Sequence, residues 1–186
     1  MARKYLVFFV VWMSFIVVVR AQWDVQFSDY TRLKSFFNPA VSGIEGKLNV
    51  SAAYSLQMAG YDNAPSTMYV GADLPVYFLS PRHGAGASLL SDQIGMFRTQ
   101  KISLQYAYNM KIGKRGRLAI GVQGAMLSEE IDPSDVELED SSDPAFPTST
   151  VKGSGFDVGA GAYFHHPLFW AGVSAHHLTS PTLEVG

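Results

Sequence analysis

The sequence predicts an all-β protein, an antiparallel transmembrane β-barrel of the outer-membrane type, and three observations support this prediction. Long segments alternate strictly between apolar and polar residues. The polar positions of these segments are mostly Ser, Asn and Gln, whereas a water-exposed sheet would carry Lys and Glu. Aromatic residues lie near the segment ends, as they do in the interfacial girdles of membrane barrels.

Composition excludes several classes of protein. Of the 186 residues, 47% are hydrophobic and only 16% are charged, so the chain is not intrinsically disordered. The absence of cysteine excludes a disulfide framework, a zinc–thiolate site, a catalytic thiol and a lipid-modified N-terminal cysteine. The formal net charge of −2 argues against nucleic acid as a partner, because phosphate backbones are bound by strongly basic proteins.

Residues 1–21 are predicted to be a signal peptide. Two basic residues precede an apolar run over 5–19, and the small residues around Ala21 suit cleavage after that position. The alternative is an uncleaved anchor, but this run is shorter than the roughly 18 to 20 residues that a membrane-spanning helix needs. The remaining residues, 22–186, are predicted to form the barrel domain, since any further crossing must be made by strands.

One short helix and then seven strands are predicted along the mature chain. The stretch 30–37 suits a short helix, because Asn38-Pro39 follows it. The clearest strand alternates Ile102 and Leu104 with Ser103. The others follow the same period, and the third is weaker and rich in glycine. The predicted strands are 48–57, 67–74, 84–91, 101–110, 118–127, 155–164 and 169–177.

Turn-forming residues separate these strands. Glycine, proline, asparagine and aspartate concentrate between the alternating segments, so consecutive strands are predicted to meander with antiparallel neighbours. The predicted turns are 60–65, 80–82, 92–95, 113–116 and 166–167.

Strand length and aromatic placement favour the membrane over a soluble sheet. Strands of about nine to eleven residues suit an apolar band roughly 25 Å tall, whereas soluble strands usually have about five or six residues. A soluble secreted β-sandwich binding module, with its apolar face inward, stays open as the alternative. The predicted girdle residues are Tyr54, Tyr77, Phe78, Phe97, Tyr106, Tyr108, Tyr163, Phe164, Phe169 and Trp170.

Half of the acidic residues lie in one short stretch. Eight of the sixteen occur from Glu129 to Asp143, with no Lys or Arg among them and with prolines nearby. This stretch is predicted to be a long solvated loop that projects to the outside of the cell. A calcium site in this loop is a weaker alternative, because the regular spacing of a calcium-binding loop is absent.

No catalytic, cofactor-binding or metal-binding residue is predicted. Four of the five histidines are His165, His166, His176 and His177. Because neighbouring residues on a strand point to opposite faces, each pair gives only one ligand to a given face. Close carboxylates on the acidic loop do not fix the geometry of a glycosidase, and no serine has a nucleophile-elbow context. The chain is therefore predicted to be non-enzymatic, without a cofactor.

Short motifs follow one another in a fixed order along nearly all of the mature chain. They are Gln26-Phe27-Ser28-Asp29-Tyr30, Asn38-Pro39-Ala40-Val41-Ser42-Gly43, Gln57-Met58-Ala59-Gly60, Ala64-Pro65-Ser66-Thr67, Gly84-x-Gly86, Asp92-x-x-Gly95, Ser103 to Tyr108, Leu118 to Gly124, Asp143-Pro144-x-Phe146, Phe156-Asp157-x-Gly159-x-Gly161-x-Tyr163 and Gly172-Val173-Ser174-x-x-His177-Leu178-x-x-Pro181. Their succession resembles the PorP/SprF family of outer-membrane proteins in the type IX secretion system of Bacteroidota. Two departures are Met58, where the family usually has Trp, and Asn63, where it usually has Gly.

The resemblance implies a non-enzymatic outer-membrane component of type IX secretion, a system linked to gliding motility. Its implied partners are the secretion machinery, secreted surface adhesins with a C-terminal sorting domain, and outer-membrane lipid. Family members usually continue with further strands, and single-chain bacterial barrels have even strand counts. Seven strands therefore predict a barrel incomplete at its C-terminus: a truncated product, a fragment, or a barrel that takes strands from elsewhere. A passive-pore or enzymatic barrel is a further alternative.

Overall fold

One antiparallel sheet dominates the computed structural model, which describes residues 25, 27–61, 63–133, 149–179 and 184–185. Two short helical segments precede the sheet, the helix α1 (Lys34–Phe37) and a 3₁₀ turn (Pro39–Val41). No helix among the described residues is long and apolar enough to cross a membrane. The strands are β1 (Asn49–Leu56), β2 (Ser66–Pro75), β3 (His83–Ile94), β4 (Phe97–Ile112), β5 (Gly116–Ile131), β6 (Val151–His166), β7 (Phe169–Ala175) and β8 (Glu184–Val185).

Each of the first six strands pairs with the next, so β1 to β7 form a plain meander that curls into a half-barrel. This order confirms the seven predicted strands and their antiparallel arrangement. The eighth strand was not predicted, and it pairs with the same edge of β6 as β7 does. Ala175 of β7 pairs with Ala160, and Val185 of β8 pairs with Gly153. β7 and β8 are thus two parts of one interrupted strand position.

The apolar residues of the strands face outward and the polar residues face inward, which is the reverse of a soluble sheet. On β4, Ile102 and Leu104 are 57% and 68% exposed on the convex outer face, while Ser103 and Gln105 are 4% and 6% exposed on the concave inner face. The other long strands alternate in the same way. The alternative of a soluble sandwich, which requires the alternating apolar residues to be buried, is therefore wrong.

The connections between strands differ at the two ends of the sheet. We call the end with the longest connections the loop end, and the opposite end the turn end. The loop end carries 57–65, 95–96 and 132–150, and the turn end carries 76–82, 113–115 and 167–168.

The outer apolar residues form a belt with a sharp boundary toward the loop end. The outward run from Ile102 to Ile112 of β4, at about 3.3 Å per residue and a tilt of about 40°, is roughly 25 Å tall. This height equals that of the apolar band of membrane barrels. Across β3 to β6, the last apolar row consists of Leu89, Ile102, Met126 and Phe156. The first polar row beyond it consists of Ser91, Gln100, Ser128 and Ser154. The second polar row consists of Gln93, Arg98, Glu130 and Lys152.

The start of the acidic segment was predicted wrongly. β5 continues to Ile131, so Glu129 and Glu130 lie on a strand and not in a loop. Both lie beyond the apolar belt, where charge is tolerated. Glu130 forms an ion pair with Lys152 of β6, with Nζ 3.0 Å from Oε1. Residues 134–148, which include most of the acidic segment, lie outside the described residues, as do residues 1–21.

Three of the ten predicted girdle aromatics lie at inward strand positions: Phe97, at the exposed loop end of β4, and the pair Tyr163 and Trp170. Tyr163 is almost completely buried, and Trp170 stacks on it with ring centroids 6.0 Å apart. The girdle prediction is wrong for this pair because residue position near a strand end does not determine which face a side chain occupies. The strongly exposed members of the set are Tyr54, Tyr77, Phe78, Phe97, Tyr106 and Phe169.

Candidate functional site: the plug and the lumen

The segment of residues 27–46 lies on the concave face of the sheet, and we call it the plug. Its central residues Asn38 to Ser42 are buried against β4, β5 and β6. One apolar core forms where Ala40, Val41 and Ile44 meet Ala119 and Tyr163 of the sheet. The motif Asn38-Pro39-Ala40-Val41-Ser42-Gly43, one of the ordered motifs of the family resemblance, is therefore part of the segment that occupies the lumen.

Local side-chain hydrogen bonds shape the beginning of the plug. The Thr31 hydroxyl and the Arg32 backbone N–H both donate to Oδ1 of Asp29, at 2.8 and 3.1 Å. The hydrogen bond from Thr31 is the main reason that the pKa of the Asp29 carboxyl lies below its ordinary value. This closed turn leads directly into α1.

Asn38 connects the plug to two strands at once. Its Oδ1 accepts from the backbone N–H of Ala40 at 2.9 Å and begins the 3₁₀ turn, in which proline at the first position needs no N–H partner. Its Nδ2 donates to the carbonyl oxygens of Ala162 on β6 and Val173 on β7, at 3.0 and 3.2 Å. One buried side chain thus satisfies three backbone groups.

A chain of polar side chains holds the middle of the plug. Ser42 Oγ donates to Oε1 of Gln105 at 2.8 Å, and Gln105 Nε2 donates to the Ser35 carbonyl at 2.9 Å. The same Nε2 lies 3.2 Å from Oε1 of Gln123, whose own Nε2 is 3.3 Å from the hydroxyl of Ser103. Because Ser42, Gln105, Gln123 and Ser103 are all hydrogen-bonded, burial of these four side chains carries no large desolvation cost.

Two charged residues hold the end of the plug. Asp73 of β2 accepts from the Gly43 backbone N–H at 2.9 Å, and Arg117 of β5 donates through Nη1 to the Ile44 carbonyl at 2.8 Å. Together with the contacts of Asn38 and Ser42, these bonds connect the plug to strands from β2 to β7. The plug therefore binds across most of the concave face.

Glycines in the strands let the plug backbone lie directly on the sheet. A Cβ at Gly84 would clash with the carbonyl of Ser42, and one at Gly121 would clash with the backbone of Ala40. Gly43 of the plug has φ of +71°, and a side chain there would come within 2.7 Å of Gly84. These strand positions require glycine because backbone meets backbone.

Between the plug and the sheet lies a cavity of about 300 Å³. Aromatic rings of Tyr30, Phe36 and Phe37 line it on the plug side, and Lys101 and Gln123 are among the polar side chains on the sheet side. The rings pack on one another, since the ring centroids of Tyr30 and Phe37 are 4.7 Å apart and those of Phe36 and Phe37 are 4.9 Å apart. Nearer the loop end, Leu33 of the plug forms a second apolar cluster with Tyr69 of β2 and Leu90 of β3.

A buried ion cluster lies on the same inner face. Asp157 is 1% exposed, and its Oδ2 is 3.0 Å from Nδ1 of His177 and 3.9 Å from Nζ of Lys101. Thr179 donates to its other oxygen at 3.3 Å. His177 reaches this position because the predicted seventh strand ends at Ala175 and not at residue 177, and His177 has φ of +56°.

The four histidines singled out in the sequence are not brought together. His177 binds Asp157, His176 Nε2 lies 2.9 Å from the Phe37 carbonyl, and His165 and His166 lie on opposite faces of β6. Within the described ranges, no three His, Asp or Glu side chains come close enough to hold a metal ion.

Sequence reasoning missed the plug and the buried ion cluster. The signals were present as inward positions occupied by Gly84, Gly121 and Gly161, and as Lys101 and Asp157 at inward positions of predicted strands. Glycine and charge at such positions indicate that another segment covers them.

The inside-out meander, its apolar belt and its filled lumen define a transmembrane β-barrel protein of the outer-membrane type. A family model described as type IX secretion system membrane protein PorP/SprF matches residues 19–185, and the chain belongs to this family. No curated protein and no solved structure matches the chain. The expectation from the ordered motifs is thus confirmed at the level of the family.

Proposed function

We propose that the chain is a non-enzymatic outer-membrane component of the type IX secretion system, and that it supports the secretion or surface attachment of adhesins with a C-terminal sorting domain. Its contribution is protein–protein contact: the sheet anchors the protein in lipid, and the loops and turns bind the machinery and the secreted adhesin. Membership of the family supports a place in the secretion system. The outward apolar belt supports insertion into a membrane by strands.

The packing of the plug against the sheet is the observation that best supports a role in protein–protein contact. Its backbone contacts glycines of the strands directly, and its side chains and backbone groups form hydrogen bonds to strands from β2 to β7. A lumen filled in this way is suited to a rigid scaffold and not to a passive pore. We therefore expect no conductance steps when the refolded protein is added to a planar bilayer, and regular open-channel steps would contradict the scaffold role.

Localisation is tested by fractionation. We expect the mature protein in the detergent-soluble fraction of outer membranes, with Gln22 as its first residue if cleavage follows Ala21. Recovery in the soluble periplasm without detergent would reject membrane insertion. A first residue other than Gln22 would reject only the predicted cleavage position.

The link to adhesins is tested by complementation of a strain that lacks the gene. We expect the native chain to restore adhesin on the cell surface, measured by protease release from intact cells. A variant with the exposed loop-end residues Met58, Tyr61 and Asn63 changed to serine is expected to restore less adhesin at an equal protein level. The matched control changes the exposed turn-end residues Phe78, Leu79 and Leu168 to serine. Equal surface adhesin with and without the gene would reject the proposed link.

A further inference from the structure

The connection between β4 and β5 is strongly basic. Lys111, Lys114, Arg115 and Arg117 lie in or beside this turn, and all four are exposed. No acidic residue occurs in the sequence between Asp92 and Glu129. We call residues 111–117 the basic hairpin.

The strand register places two of these cations directly opposite each other. Lys111 of β4 pairs with Arg117 of β5, and Arg117 pairs in turn with His165 of β6. Like charges at directly opposed positions destabilise an antiparallel pair. None of the ion pairs among the described residues involves Lys111 or Arg117. Arg117 donates to the neutral Ile44 carbonyl, so its charge is hydrogen-bonded but not neutralised by an ion pair among the described residues, and an external anion would relieve the repulsion.

Among the described residues, the acidic side chain nearest the hairpin along the plug is Glu45, next to the Ile44 carbonyl that Arg117 contacts, and Glu45 is already paired with Lys34 and Lys47. Glu129 and Glu130 lie at the opposite end of β5, and this strand of 16 residues spans roughly 40 Å when tilted in a barrel. Screening over such a distance removes their attraction almost completely. Since no acidic side chain of the described ranges forms an ion pair with the hairpin, we look for the anion in another molecule.

The position of the hairpin, just beyond the apolar belt, indicates which kind of molecule supplies the anion. Ile112 is the last outward apolar residue of β4, and Lys114 and Arg115 follow in the turn. The neighbouring turn exposes Phe78 and Leu79, which are 88% and 60% exposed at the same end of the sheet. Aromatic and aliphatic side chains followed by cations are the arrangement found where hydrocarbon meets headgroups.

We propose that the basic hairpin binds the phosphate groups of anionic membrane lipids. This inference rests on the membrane insertion of the proposed function and adds a lipid class and the residues that select it. Lys114 and Arg115, in the turn itself, contact the headgroups at the turn end of the sheet. Lys111 and Arg117 add positive charge on the inner face at the same end. Binding would fix the depth of the turn end in its leaflet.

The test uses a tryptophan reporter beside the hairpin. Ile112→Trp is made in the mature chain, residues 22–186, with Trp23 and Trp170 changed to phenylalanine, and the protein is refolded into vesicles. Quenching by brominated phosphatidylcholine reports insertion into lipid, and quenching by brominated phosphatidylglycerol reports preference for the anionic headgroup. We expect a preference of roughly five-fold for phosphatidylglycerol, the factor expected for one basic side chain near an anionic surface.

Two double variants, each of which removes two positive charges, test whether the lipid preference comes from the basic hairpin. The double variant Lys114→Gln and Arg115→Gln is expected to lose the preference, while Arg98→Gln and Lys152→Gln at the loop end should keep it. Each variant is first checked for heat-modifiable migration, so a misfolded protein is recognised. Equal quenching by both lipids, or a preference retained without Lys114 and Arg115, would overturn the inference.

Two competitors distinguish other anions from lipid. Loss of the phosphatidylglycerol preference in millimolar inorganic phosphate would assign the hairpin to free phosphate, and loss with polyglutamate would assign it to an acidic protein partner. Either result would overturn lipid binding. Absence of quenching by any brominated lipid would instead reject the membrane insertion on which the proposed function rests.

Discussion

Asn38 is the residue whose loss should loosen the plug most. Asn38→Ala would leave the Ala40 N–H and the carbonyls of Ala162 and Val173 without their present partner in a buried site. Since unsatisfied buried groups cost about 1–3 kcal/mol each and relaxation recovers part of this, we expect a loss of about 2–4 kcal/mol. Urea unfolding of the refolded protein in detergent measures it.

The control for this prediction is Asn49→Ala. Asn49 donates one hydrogen bond, at 3.3 Å, to Asp73 in a partly exposed position. The expected loss is below about 1 kcal/mol. Equal losses for Asn38→Ala and Asn49→Ala would show that Asn38 is not a principal tether of the plug.

Strand β5 offers a matched pair of glycines for a second prediction. A Cβ at Gly121 would clash with the Ala40 backbone, whereas at Gly124 the nearest atom is Phe156 Cζ at 3.4 Å, an ordinary contact. We expect Gly121→Ala to cost about 1–3 kcal/mol by overpacking, and Gly124→Ala to change stability little. Limited trypsin digestion should cut the Gly121→Ala plug faster, at Arg32 or Lys34. A plug equally resistant in both variants would contradict direct backbone packing.

At the scale of single strands, the position of a charge relative to the belt should determine its cost. Leu104→Arg puts a charge in the middle of the outward apolar run of β4, where it is expected to cost about 2–4 kcal/mol of stability in a bilayer. Gln100→Arg puts the same charge one row outside the belt and should cost about 0–1 kcal/mol. Equilibrium unfolding from vesicles measures both. Similar costs would place the belt boundary elsewhere.

The strands were predictable because alternation is a local property of the sequence. The end of β5 was not, because Glu129 and Glu130 looked like loop residues until the belt boundary at Met126 was known. Charge excludes a residue from lipid but not from a strand that extends beyond lipid. Strand prediction from composition therefore stops too early at the loop end of a long barrel strand.

The plug was not predictable because its bonds join residues far apart in sequence. Asn38 reaches Val173, 135 positions away, and Ser42 reaches Gln105. No local pattern encodes such contacts, so the sequence predicted only that α1 falls within 30–37. The interruption after Ala175 is similar, because His177 leaves the strand to reach Asp157 of β6.

At the scale of the whole molecule, charge and connection length divide the two ends of the sheet. The turn end carries the basic hairpin and short connections, and the loop end carries the acidic segment and the connection 132–150. In outer-membrane barrels, short turns face the periplasm and long loops face the outside. We therefore predict that the turn end, where the plug packs on Ala119 and Tyr163, faces the periplasm, and that the loop end faces outward.

This orientation gives a prediction that the cysteine-free chain makes easy to test. Tyr61→Cys lies in the loop-end connection and Lys114→Cys in the basic hairpin, and both native side chains are exposed. A maleimide that cannot cross the outer membrane should label Tyr61→Cys in intact cells, and should label Lys114→Cys only after the outer membrane is permeabilised. Labelling of Lys114→Cys alone in intact cells would invert the orientation, and the acidic segment would then face the periplasm.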